Sequence, residues 1–84
     1  MITERSLIRL KLLYVLLRQG EMSLTKLAQE AGVRYWTARS EVEQLERNGY
    51  VEVFSSGRVR IVRVNLENRK VIIVKNLLEE LEDI

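Results

Sequence analysis

The chain has no cysteine and no histidine among its 84 residues. Their absence removes disulfides, cysteine-rich zinc sites, thiol nucleophiles and thiolate redox sensors, and also the commonest general base near neutral pH. No phosphate-cradling glycine loop or nucleophile elbow stands in for them, so an enzyme is not expected and neither is a cofactor or a metal. The carboxylates Glu79, Glu80, Glu82 and Asp83 read as a solvated helix end. No apolar run reaches about 20 residues, and the apolar N-terminal stretch is interrupted by Arg9 and Lys11. Neither a membrane span nor a cleaved signal peptide fits, and a cytoplasmic protein is expected. Proline is also absent and glycine is scarce, with four in the chain, so the few glycines serve as punctuation.

What the chain does have is arginine, ten residues of it against four lysines. The formal net charge is only +2, but the last nine residues hold four acids and no base, which leaves the first 75 residues at +6. That asymmetry points to a body that binds a polyanion and carries an acidic tail, and arginine is the better fork for phosphates and guanine edges. An Arg- and Glu-rich composition free of cysteine and proline also fits a thermophilic host, where ion-pair networks are favoured. Composition does not choose between the two.

Periodicity divides the chain into elements without repeats, linkers or low-complexity tracts, and one domain over residues 1–84 is expected. Thr3 to Arg18 reads as a first helix capped by Thr3 or Ser6. Its apolar residues Leu7, Ile8, Leu10, Leu12, Leu13, Val15, Leu16 and Leu17 cover almost the whole circumference. Such a helix must be buried on two sides, and a domain this small, burying only about 60% of its unfolded surface, supplies one of them. The second side is a candidate dimer face. Residues 1–19 are expected to hold the first helix and the dimer face, and Glu21–Met22 reads as a short strand.

Ser23 caps a second helix from Leu24 to about Glu30, Gly32 breaks it, and a third helix spans Tyr35 to Asn48 with Ala38, Val42 and Leu45 inward. Val51–Phe54 and Val59–Val64 read as strands joined by a loop Ser55-Ser56-Gly57-Arg58, with Val51, Val53, Val59 and Ile61 facing inward together. The alternation fails at Val62, so the second strand is either covered on both faces at its far end or bulged. Residues 65–84 read as a C-terminal helix capped by Asn65 or Asn68, with Val74, Leu77, Leu78 and Leu81 on one stripe. A strand over residues 71–75 is the alternative, because Val71-Ile72-Ile73-Val74 is β-branched throughout.

Leu27-Ala28, Gly32-Val33, Ala38, Val42, Leu45 and Gly49-Tyr50-Val51 have the spacing of a helix-turn-helix over residues 23–48. Ala28 is small where the next helix crosses, and Gly32 supplies the turn. The hairpin over residues 50–64 follows as a wing. On these residues the segment 24–64 resembles winged helix-turn-helix regulators of the broad MarR-like and ArsR-like group, in particular the small regulators of archaea and their viruses or plasmids. The resemblance implies an α+β, mainly α, fold with a three-helix core, a two-stranded wing and a C-terminal helix. It further implies a third helix in the major groove of double-stranded DNA, a wing on the neighbouring backbone or minor groove, and a transcriptional regulator, a repressor rather than an activator.

Opposite the inward stripe, Arg34, Tyr35, Trp36, Thr37, Arg39 and Ser40 would face DNA, with Glu43 at the margin. Arg39 suits guanine O6 and N7, Tyr35 and Ser40 suit phosphates or bases, and Trp36 suits a thymine methyl or a sugar. Packing of Tyr35 and Trp36 against the wing or first helix is the competing reading. On the wing, Ser55, Ser56 and Gly57 offer donors, and Arg58 and Arg60 share a face suited to a narrow minor groove. A plain solvated hairpin is the alternative there, and Arg63 is expected to pair with a carboxylate. Leu10, Leu13, Leu17, Leu77 and Leu81 are the expected homodimer interface. The rival function is a protein-interaction module of a transcription or replication assembly, with Tyr35, Trp36 and Arg39 as its hot spot.

Overall fold

The computed structural model describes residues 2–83. Its elements are α1 (Glu4–Gln19), β1 (Met22–Ser23), α2 (Leu24–Ala31), α3 (Tyr35–Arg47), β2 (Val51–Ser56), β3 (Val59–Val64) and α4 (Arg69–Glu82). Helices α1, α2 and α4 start where a side chain caps them, whereas α3 starts after Arg34 without a side-chain cap. Thr3 Oγ1 accepts from Ser6 N at 3.1 Å, and Ser23 Oγ accepts from Lys26 N at 3.1 Å. Helix α2 ends at Gly32, whose φ of 67° and ψ of 34° lie in the left-handed region, and the chain turns there into α3. Among the described residues no helix is long and apolar enough to cross a membrane.

Helices α1, α2 and α3 close around one core. Leu12, Leu16, Leu27, Ala38, Leu45 and Val62 are each at most 1% exposed. The three strands form an antiparallel sheet in the order β1-β3-β2, with Met22 opposite Val62 and Val51 opposite Val64. This is the winged helix-turn-helix expected from the sequence, mainly helical with a small sheet.

The wing differs from the sequence reading in two respects. Strand β2 runs on through Ser56, so the loop is Gly57-Arg58 alone and Ser55 and Ser56 belong to the strand. Gly57 has φ 62° while no non-glycine residue among the described residues has positive φ, the pattern of a two-residue turn with glycine at its first central position. The expectation that Val59 and Ile61 face inward with Val51 and Val53 is corrected. A loop of even length places odd positions of β2 opposite even positions of β3, so Val53 meets Val62 and Val51 meets Val64. Val62 is fully buried, while Val59 is 47% exposed. The register is continuous from Val51–Val64 to Ser56–Val59 without a bulge. The apparent break at Val62 is the true inward position of the central strand.

Residues 71–75 are helical. Asn68 caps α4, its Oδ1 accepting from Lys70 N at 2.8 Å and Val71 N at 3.2 Å. Its Nδ2 donates to the carbonyl of Gly49 at 3.0 Å, and Asn65 Nδ2 donates to the same carbonyl at 2.9 Å. The two asparagines thereby fasten the start of α4 to the turn after α3.

Candidate nucleic-acid interface

Helix α3 presents two kinds of surface because Ala38, Val42 and Leu45 recur at helical spacing and are buried. The opposite side is bare. There Trp36 is 71% exposed and Ser40 is exposed, while Thr37 and Arg39 are partly covered; Arg34, which precedes the helix, and Tyr35, on the wing-side flank of the stripe, are exposed too. The Tyr35 ring meets Trp36 edge-on with centroids 5.4 Å apart. The Arg39 guanidinium lies 5.3 Å from the Trp36 ring centroid, and its Nε is 3.4 Å from Glu43 Oε1. Trp36 is thus not packed under the wing or against α1. It forms an open shelf with the Arg39 guanidinium over its ring.

The wing brings its own cations to the same side. Ser55, Ser56, Gly57, Arg58 and Arg60 are all exposed. Arg58, Val59 and Arg60 line a cleft with Tyr35 and with Ser23, Leu24 and Thr25 at the start of α2. The first residue of α3 and the wing arginines therefore border one polar recess. Neither wing arginine is in an ion pair among the described residues, whereas Arg63 is 3.3 Å from Glu52 and lies 4.6 Å from the Phe54 ring centroid. The expected carboxylate partner of Arg63 is present.

The residues expected at a dimer face divide. Leu10, Leu77 and Leu81 are 40%, 58% and 55% exposed, and Leu17 is half-buried. Leu13 is a correction, since at 6% exposure it belongs to the core. It belongs to the cluster of Leu12, Leu16, Leu27 and Leu45, and it also lines a groove with Tyr50 and with Lys70, Val71, Ile73 and Val74 of α4. On α4 only Val71 is fully buried, and Ile73, Leu77 and Leu81 form an exposed apolar stripe at i, i+4, i+8.

One feature escaped the sequence reading. Glu41, on α3, is 4% exposed and is met by two arginines of α1: Arg9 Nε donates to Oε2 at 2.7 Å, and Arg5 Nε is 3.2 Å from Oε1. The signal was present as Arg5 and Arg9 one turn apart on a helix otherwise apolar nearly all round. A glutamate beside the inward stripe reads as polar surface until its partners are placed.

No family model and no curated protein matches the sequence, but solved structures do. The chain superposes on the MarR family transcriptional regulator SPO1453 of Silicibacter pomeroyi with TM-score 0.73 and 22% identity, covering 90% of this chain and 54% of that one. It matches the homodimeric winged helix-turn-helix DNA-binding domain Mb0332 of Mycobacterium bovis, a possible ArsR-family regulator, with TM-score 0.68 and 27% identity over 96% of this chain and 69% of the other. A Zα domain of Carassius auratus PKZ in complex with Z-DNA gives TM-score 0.69 and 17% identity over 75% and 100%. Against several of the regulators it matches, the chain spans a little over half of their length. Among its structural neighbours are a MarR family transcriptional regulator and a possible ArsR-family winged helix-turn-helix regulator, and the fold of this chain is theirs.

Proposed function

We propose that the chain binds double-stranded DNA sequence-specifically as a homodimeric transcriptional regulator, a repressor rather than an activator, acting in the cytoplasm. In this reading α3 enters the major groove, and Arg34, Tyr35, Trp36, Thr37, Arg39 and Ser40 meet bases and phosphates. Ser55, Ser56, Gly57, Arg58 and Arg60 of the wing reach the neighbouring backbone or minor groove. The observation that carries it is the outer face of α3, where Trp36 is 71% exposed beside Arg34, Tyr35 and Arg39. Exposed arginines beside an aromatic on a convex helix face suit groove recognition, in which arginine contacts phosphates and guanine edges and an apolar side chain meets a thymine methyl. The same geometry favours a second reading, an interface for another protein centred on Trp36.

Salt separates the two. Selection from a random duplex pool should yield a preferred sequence, and its affinity should fall steeply between low and moderate salt because displaced counterions scale with the phosphates neutralised. Failure to enrich any duplex, with no salt-dependent binding, overturns the DNA reading in favour of the protein interface.

A further inference from the structure

Three residues to either side of Ala38 place Tyr35 and Glu41 about 60° away on opposite flanks of the inward stripe of α3, at about 100° per residue. The Tyr35 flank is where the wing arginines stand. The Glu41 flank is where α1 delivers Arg5 and Arg9. Helix α3 is therefore bordered by a pair of arginines on each side, one pair on a hairpin and one pair on a helix.

The second pair is more than a neutralised ion pair. A buried carboxylate needs a partner, and Arg9, at 2.7 Å and 34% side-chain exposure, supplies it. Arg5, at 3.2 Å and 71% exposure, adds little to stability, because exposed pairs are individually weak. The cluster carries one negative and two positive charges. Each arginine uses Nε toward Glu41, one on each carboxylate oxygen, which leaves their Nη groups as the available donors. Neither arginine has another ion pair among the described residues.

We propose that Arg5 and Arg9, oriented by the buried Glu41, form a backbone-phosphate site on the flank of α3 opposite the wing. The site rests on the reading that α3 docks on duplex DNA. Its ligand is a DNA phosphate diester, and Glu41 is its positioning residue. The recognition helix is then held between two phosphate contacts, one from the wing hairpin and one from α1.

The test compares wild type, Arg5→Ala and Arg58→Ala in salt titrations on the selected duplex and on a random duplex. Arg5→Ala should lower the salt slope by about 0.9, weaken both duplexes by the same factor, and leave the thermal melting curve unchanged. A scan of single methylphosphonate substitutions should find one phosphate whose neutralisation weakens wild type but has no further effect on Arg5→Ala. An unchanged slope for Arg5→Ala alongside a reduced slope for Arg58→Ala overturns the site and leaves the docking reading standing. Wild type showing no salt-dependent duplex binding overturns both.

Discussion

Arg39 and Glu41 are two residues apart on one helix and hold their charges in opposite ways. The Arg39 guanidinium rests on Trp36 and is 3.4 Å from Glu43, a half-open i,i+4 pair. Such pairs contribute roughly 0.3–0.5 kcal/mol, whereas a bidentate contact to guanine discriminates by about 1–3 kcal/mol, so a base edge can take Arg39 from Glu43. Arg39→Ala should therefore cost about 1–3 kcal/mol on the selected site and much less on random DNA, read as a fall in the specificity ratio between the two duplexes. Arg58→Ala should weaken both alike and reduce the salt slope by about one unit, leaving that ratio where it was. Glu41 is fixed, and Arg9→Ala would leave its carboxylate buried with only the more exposed Arg5 beside it. A loss of about 3 kcal/mol in denaturant unfolding is expected, against under about 1 kcal/mol for Arg5→Ala. The outward position of Arg39 was legible from the spacing of Ala38, Val42 and Leu45. The burial of Glu41 was not, because it depends on α1 crossing α3 with Arg5 and Arg9 in register, a tertiary fact that no local period encodes.

Helix α4 shows how an element can carry one local preference and adopt another. Val71-Ile72-Ile73-Val74 favours strand, yet the cost of β-branched residues in a helix is only tenths of a kcal/mol each, below the gain from burying Val71 to 1% exposure. Asn68 settles the matter by capping the helix and tying it to Gly49 at 3.0 Å. Asn68→Ala should lower stability by about 1–2 kcal/mol in thermal or urea unfolding, and Asn68→Asp, which keeps the cap but not the donor to Gly49, should recover only part of it. The sequence offered Asn65 and Asn68 equally as the cap. The structure gives the cap to Asn68 and a joint role to both, since each donates to one carbonyl. The wing was legible in position but not in parity. Its strands stood out by composition, while the inward set depended on a loop of two residues, which pairs Val53 with Val62.

For the whole molecule the unresolved quantity is apolar surface. A chain of 84 residues buries only about 60% of its unfolded area, and here much of what stays exposed lies on two helices. Helix α1 leaves Leu7, Leu10 and Tyr14 at 48%, 40% and 39% exposure, and α4 leaves Ile73, Leu77 and Leu81 at 56%, 58% and 55%. The α4 stripe shares Ile73 with the groove lined by Leu13, Tyr50, Lys70, Val71 and Val74, and both helices lie outside α3 and the wing strands. A second copy seated there leaves both recognition helices free, and two-fold symmetry then calls for two half-sites about one helical turn, 34–36 Å, apart. Leu77→Arg places a charge in the middle of the stripe at a position that is already exposed, so the protomer should fold as before. Sedimentation of wild type at micromolar concentration should give a dimer and that of Leu77→Arg a monomer, with circular dichroism spectra unchanged. On a duplex carrying both half-sites the variant should lose the cooperative part of its affinity, and on a single half-site it should bind as wild type does. A wild-type chain that stays monomeric both free and on the two-half-site duplex would place the apolar stripe outside DNA binding and leave each winged helix to read its site alone.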